Sequence, residues 1–518
     1  MVRMAKATAD TAIRDKAVRM MTAWAQCFER TGQPGAHYPF DKTFCGLLDL
    51  HLYADVPEAL PLLKRLTAAA AKSLPRARQL ATPADQQAAA GGNEEWYTLS
   101  ENLYRAYLAT GELLFRDFGD VWRYDAYWSR FLNTSRPAAL RVHAYSHVNS
   151  FSGLPLAYAA NGDERYLRMA RNAYDFIHGS QMFATGGFGP GERMVGYDGD
   201  LGRSLELHAD TAEVPCGSWA GFKLSRYLLN YSGEARFGDW IERLLYNGIG
   251  AALPMRGDGE TFYYGDYHTG SGTRSYLWDR WPCCSGSYIQ AVADYVNLIY
   301  FRDPAGLYIN LFIPSEVSWT QDGQPVKLTQ ETEYPENGET HLRIETSKSI
   351  TSAIRFRVPD WATEVSVLVN GNPVTVNARP SSWAAIERRW QNGDRVAIRI
   401  PLGLRAEAVD AQHPHRVAIS YGPVVLVEDL RFNLGLQVAP GHHTRADLAA
   451  RLRPEADHPL RFEVLDPPGQ VVRSGHFFPY YAAPAGLPYR MYHDFARSEV
   501  DSTLGVSRRS PASGTAPH

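Results

Sequence analysis

A chain of 518 residues with a formal net charge of −3, 21% charged and 45% hydrophobic residues is long for a single core and is expected to divide into domains. The near-neutral charge excludes a polyanion-binding surface, so nucleic acid is not an expected partner, and the apolar content excludes a disordered chain. Aromatics make up 12%, with 12 Trp and 29 Tyr; such rings stack on sugars but fill ordinary cores as well.

The opening segment MVRMAKATADTAIRDKAVRMM is basic but lacks the apolar centre of a signal peptide, and no later run is long and apolar enough to span a membrane. The expectation is a cytoplasmic protein without membrane association, or a periplasmic one if a leader has been removed. From about Thr11 to Tyr300, stretches such as TAIRDKAVRMMTAWAQCFER and ENLYRAYLATGELLFRDF carry apolar residues at three- and four-residue spacing, the period of helices. In LAYAANGDERYLRMARNAYDF and SRYLLNYSGEARFGDWIERLLYN a helix ends, an N-G or S-G turn intervenes, and a second helix opens with acidic residues. A tandem of such pairs predicts a helical toroid or solenoid.

After Phe301 the pattern changes to alternation and turns, as in GLYINLFIPSEVSW, EVSVLVNGNPVTVN and RVAISYGPVVLVEDL. VNGNP and PENGE read as hairpin turns, and this half reads as an antiparallel β-sandwich. The expected fold class is therefore α + β and multidomain. Its divisions are a helical domain over 1–302, a β-sandwich over 303–430, a β or irregular segment over 431–505 and a disordered tail over 506–518.

Three short stretches late in the helical half concentrate unusual residues: TGGFGPGER, HADTAEVPCGSW and WPCCSGSY. The five cysteines are Cys27, Cys45, Cys216, Cys283 and Cys284, too few and too scattered for a disulfide framework. Cys283 and Cys284 cannot readily pair with each other, because one trans peptide holds their α-carbons only ~3.8 Å apart. Glu213, Cys216, Cys283 and Cys284 make a chemically sensible tetrahedral set for zinc; buried structural thiols are the competing explanation. Glu192 lies in a glycine-rich loop where the backbone can approach a ligand, and Glu213 lies just ahead of a helix expected to begin at Pro215. A solvated loop acid and a first-turn acid favoured by the helix dipole are the ordinary alternatives. His147 and His208 can orient a substrate or serve as hydrogen-bonded core histidines.

Taken in order, TGG-x-G-P-G-E, A-E-V-P-C, P-C-C and then a β-half with W-x-x-G-D and S-Y-G-P-V resemble glycoside hydrolase family 127, the β-L-arabinofuranosidase-like proteins, over Glu95 to Leu430. The resemblance implies an (α/α)6 barrel followed by a β-sandwich, a carbohydrate substrate, and a zinc ion held by Glu213, Cys216, Cys283 and Cys284. It implies Cys283 as nucleophile and Glu192 as acid/base in a retaining, exo-acting glycosidase, and it allows for a homodimer. It places His147 and Glu101 at sugar-binding positions, and Tyr97, Trp281 and His208 complete the candidate substrate-binding residues. Three departures point to a divergent subgroup with a different glycone. Glu-Val-Pro-Cys is one residue longer than the family's Glu-x-Cys, Glu101 stands where a sugar-binding histidine is expected, and PCCSG replaces CCPPN.

Two other readings compete. A polysaccharide lyase would draw on Tyr264, His268 and Arg274 in ETFYYGDYHTGSGTRSY, but would leave the four-ligand set unexplained. A non-catalytic carbohydrate-binding protein would keep zinc as a structural ion.

Overall fold

The computed structural model describes residues 1–76, 95–138, 141–276, 283–431, 451–465 and 471–494, the last span by backbone alone as far as 475. The expected tail over 506–518 and the candidate Trp281 lie outside the described residues. The chain forms two compact units, one made of residues 1–177 with 289–296, the other of residues 178–288 with those from 297 onward.

The first unit is helical. Thr11–Thr31 is started by the Asp10 side chain, which accepts from the Ala12 and Ile13 amides at 2.8 and 3.1 Å, and is stopped by left-handed Gly32. Leu99–Thr110 and Gly153–Asn161 likewise stop at left-handed Gly111 and Gly162; the second is the N-G turn expected from the sequence. The helices and turns of this unit bury Phe40, Phe44, Leu63, Leu103, Phe115, Trp122, Trp128 and Phe151. No helix among the described residues is long and apolar enough to cross a membrane.

The second unit opens with helical hairpins and continues as antiparallel sheets. Val214–Ser232 ends at left-handed Gly233, the expected S-G turn, and Arg236–Leu244 follows. Gly221 lets these two helices close, since a Cβ there would lie 2.4 Å from Leu244 Cδ1. A six-stranded sheet runs from Asn372–Pro373 through Ser366–Val369, Arg395–Arg399, Glu339–Thr346 and Gln324–Thr332 to Ser315–Gln321. A four-stranded sheet pairs Ser382–Trp390, Ile350–Val358, Gly306–Ile309 and Tyr300–Asp303. Leu328, Ile344, Phe356, Ala384, Trp390 and Ile398, drawn from the two sheets, form one core. The hairpin at VNGNP is as expected, with Asn370 and Gly371 both left-handed between paired Val369 and Asn372. One pair departs from the antiparallel expectation: Gly306–Ile309 runs parallel to Ile350–Val358. A third sheet takes strands from both sides of residue 430, from Leu404–Ala408 to Val471–Pro479.

A buried ionic network ties Arg236–Leu244 to the strands within this unit. Arg357, fully buried, donates to Asp239 Oδ1 at 2.5 Å and Glu242 Oε1 at 2.8 Å, and its Nε reaches the Asn310 carbonyl at 3.0 Å. Arg243 pairs with Asp360 at 2.7 Å and Glu407 at 2.8 Å.

Candidate active site

Four of the candidate residues converge in the second unit. Their ligand atoms, one carboxylate oxygen of Glu213 and the sulfurs of Cys216, Cys283 and Cys284, all lie within 4.8 Å of one another. Two helix starts deliver them. Glu213 is the residue before Val214–Ser232, Pro215 fits that helix's first turn, and Cys216 follows within the turn. The additional residue in Glu-Val-Pro-Cys is thereby absorbed, and both side chains still reach the cluster. Cys283 and Cys284 open the helix Cys283–Asp294. The positive ends of two helix dipoles thus face the sulfurs and favour thiolate over thiol.

Cys216 Sγ lies 3.7 Å from Cys283 Sγ and 3.2 Å from Ser287 Oγ. The Tyr263 hydroxyl stands 3.0 Å from Glu213 Oε1 and 3.2 Å from Cys283 Sγ. The three sulfurs hydrogen-bond with one another, with Tyr263 and Ser287, and, at Cys283, with the Cys284 amide. Cys283, on which hydrogen bonds from Cys216, Cys284 and Tyr263 converge, is drawn down to about 3. Burial and their neighbours push Cys216 and Cys284 well above the usual thiol value. Two protons shared over three close sulfurs leave the single negative charge on Cys283, the least buried of them. All five cysteines are free thiols.

Glu192 ends the turn Pro190–Glu192, with Gly189, Gly191 and Glu192 itself all in the left-handed region at φ 82°, 59° and 56°. A glutamate pays for that conformation, and its surroundings must hold it there. The Gly191 amide donates to the Asp210 carbonyl at 2.9 Å, and the His208 ring packs against Gly191, where a Cβ would meet Cε1 at 2.8 Å. His208, half-exposed, also lies 3.4 Å from Asp210 Oδ1. The Tyr264 hydroxyl donates to Glu192 Oε1. Burial and this carboxylate push the Tyr264 hydroxyl up, so it stays a donor.

A three-stranded ribbon of two-residue strands connects these groups. Ala212–Glu213 pairs with Tyr264–Gly265, which pairs with Arg274–Ser275, placing Tyr264 opposite both Glu213 and Ser275. Tyr263 and Ser287 escaped the sequence reading. Ser287 carries a signal in its spacing, four residues after Cys283 on the same helix face. Tyr264 was legible only as a candidate base for lyase chemistry. Of its companions in that reading, Arg274 is buried and donates to the Ala251 and Leu253 carbonyls at 2.7 and 2.8 Å, and His268 Nδ1 accepts from the Gly270 amide at 3.0 Å.

In the first unit, Tyr97 and His147 come together. Their ring centroids lie 4.8 Å apart, with Tyr127 at 5.1 Å from the same imidazole and Tyr124 at 5.9 Å. His147 Nδ1 donates to the His143 carbonyl at 2.8 Å, and the Tyr97 hydroxyl lies 2.8 Å from Ser146 Oγ. Glu101 is buried in the first turn of Leu99–Thr110.

Models of two domain families match the chain. One, described as the β-L-arabinofuranosidase GH127 catalytic domain, covers residues 6–297, and the other, the GH127 middle domain, covers residues 306–402. The chain belongs to glycoside hydrolase family 127. It is therefore a glycoside hydrolase, with a carbohydrate as its substrate. Solved structures share the fold of this GH127 member. One described as a glycoside hydrolase matches with a TM-score of 0.69 at 17% identity, over 92% of this chain and 88% of that one. A GH127 β-L-arabinofuranosidase from Geobacillus stearothermophilus T6 matches with a TM-score of 0.66 at 18% identity, over 87% and 79%. A GH127 β-arabinofuranosidase matches with a TM-score of 0.68 at 19% identity, over 90% and 78%. No curated protein sequence matches. The fold class is the expected one, a helical barrel followed by antiparallel β-structure. Membership in GH127 leaves the lyase and non-catalytic readings without support.

Proposed function

We propose that this GH127 chain is a zinc-dependent, retaining exo-glycosidase of the β-L-arabinofuranosidase type, with Cys283 as nucleophile and Glu192 as acid/base. The observation that carries the reading is the convergence of one carboxylate and three sulfurs at two helix starts. A tetrahedral zinc site with Zn–S bonds of ~2.3 Å has S···S edges of ~3.8 Å, and the Cys216–Cys283 separation is 3.7 Å. Glu213, Cys216, Cys283 and Cys284 fit such an ion. When bound there, zinc would keep Cys283 ionised near neutral pH, so that no separate base is needed to activate it.

The remaining chemistry belongs to the chain. The Cys283 sulfur attacks the anomeric carbon as the bond to the leaving oxygen breaks, and Glu192 gives that oxygen its proton. A thioglycosyl bond to Cys283 results. Glu192, now a carboxylate, takes a proton from water, whose oxygen attacks the same carbon and returns the sulfur. Two displacements at one carbon retain its configuration. Within the first unit, His147 and Tyr97 form an aromatic and hydrogen-bonding surface suited to sugar hydroxyls; a carboxylate at Glu101 in place of a histidine favours a glycone other than the family's usual one.

Elemental analysis of zinc in wild type and Cys283→Ser, with hydrolysis of a panel of nitrophenyl furanosides and pyranosides, tests this. One zinc per wild-type chain and turnover that falls by ~10⁴-fold or more in Cys283→Ser are expected. Wild-type protein purified without zinc yet fully active would overturn the metal assignment. Undiminished turnover by Cys283→Ser would overturn the nucleophile.

A further inference from the structure

An acid/base carboxyl must be aimed, and the backbone that carries Glu192 does not aim it unaided. Three left-handed residues in four, Gly189, Gly191 and Glu192, give the turn its shape at a conformational cost, and the side chain beyond them rotates about three further bonds. A contact on the carboxyl itself comes from elsewhere in the chain, from the Tyr264 hydroxyl on Oε1. Tyr264 itself is held on both edges. It sits opposite Glu213 on one side and Ser275 on the other, and the adjacent peptide is tied by Val214 N to the Tyr263 carbonyl at 2.8 Å and Tyr263 N to the Ser275 carbonyl at 3.1 Å. Its ring lies 4.6 Å from that of Tyr263, whose own hydroxyl reaches Cys283 and Glu213. One short ribbon therefore presents a hydroxyl to the sulfur cluster and, from the next residue, a hydroxyl to Glu192.

We infer that Tyr264 is the positioning residue for Glu192, and that the Tyr263–Tyr264 dipeptide sets the spacing between the carboxyl and the Cys283 sulfur. The inference rests on the reading of Glu192 as acid/base and adds to it the group that orients it. Misplacing such a group by an ångström costs up to ~10²-fold in rate, and the loss falls on the step that needs the proton.

The experiment compares kcat/KM, which reports the first displacement, for the nitrophenyl and methyl glycosides of one sugar, the one turned over fastest in the furanoside and pyranoside panel. A nitrophenolate departs without protonation, whereas a methoxide requires it. Tyr264→Phe keeps the ring and removes only the hydroxyl. It is expected to lose ~10- to 100-fold on the methyl glycoside and under ~3-fold on the nitrophenyl glycoside, with zinc content and melting temperature unchanged. Glu192→Gln is expected to show the same pattern with a larger loss. Equal losses of Tyr264→Phe on both substrates, while Glu192→Gln discriminates between them, would overturn the positioning role alone. Glu192→Gln showing no discrimination would overturn the acid/base reading and the inference with it.

Discussion

Two buried groups of ionisable side chains hang from the helical hairpin Val214–Ser232 and Arg236–Leu244, and they are assembled on opposite plans. The network around Arg357 contains its own counter-charges, with Arg357, Arg243 and Arg405 set against Asp239, Glu242, Asp360 and Glu407. The four acids exceed the three guanidiniums by one, and burial beside Asp360 raises Asp239 to about 7, so one proton completes the balance. The members of the sulfur cluster, by contrast, are all neutral or negative. A self-neutralised network welds a helix to a sheet; a set of anionic ligands suits a cation from solution. Burial and charge alone do not separate structural from functional clusters, but the sign of the members does.

The sharpest way to break this contrast is to unbalance the network. Arg357→Ala leaves Asp239 and Glu242 buried without their guanidinium and is expected to lower stability by about 3–5 kcal/mol, read by urea unfolding; a loss under ~1 kcal/mol would show the network to be dispensable. Metal removal should affect the other cluster. Stripping wild type with a chelator is expected to lower stability by about 3 kcal/mol relative to protein in free zinc at a hundred times its Kd, and to change nothing in Cys216→Ala, Cys284→Ala; an equal response in that double variant would place the metal elsewhere.

The smallest effect concerns protons. Asp239 has a folded value of about 7, above the ~3.9 of an unfolded aspartate. Between those values the fold binds a proton that the unfolded chain does not, so the stability from this group is full below the lower value and is lost as pH rises through the upper one. Asp239→Asn should flatten the decline of stability between pH 5 and 8 by roughly 1 kcal/mol or more. Parallel pH profiles for the two proteins would remove Asp239 as the proton carrier.

The cluster of Glu213, Cys216, Cys283 and Cys284 was legible because unusual residues, Glu-Val-Pro-Cys and Cys-Cys, mark helix starts whose turn chemistry is local. The part that Tyr263 and Tyr264 play beside it was not, since Tyr264 acts from a strand two residues long and Tyr263 from the residue before it, which leave no period in the sequence. The network was half-visible: Asp239, Glu242 and Arg243 share a helix face, and Arg357 is a charge within the apolar strand Ile350–Val358. Their pairing across more than a hundred residues was not readable. The third sheet was legible in Arg416–Tyr421 and Val424–Asp429, but its strands beyond residue 450 were hidden for another reason. Register shifts at Pro454/Glu455 and Glu463/Leu465 break the alternation that would have marked its strands.

The left-handed backbone at Glu192 also bears on how such a chain would drift. Glycine or asparagine occupies that region at lower cost than glutamate. In a descendant released from glycoside hydrolysis, position 192 would be among the first to change, and toward those two residues. Under the role proposed for Glu192, a glutamate retained there against the preference of its own backbone would mark a lineage still under demand for the carboxyl.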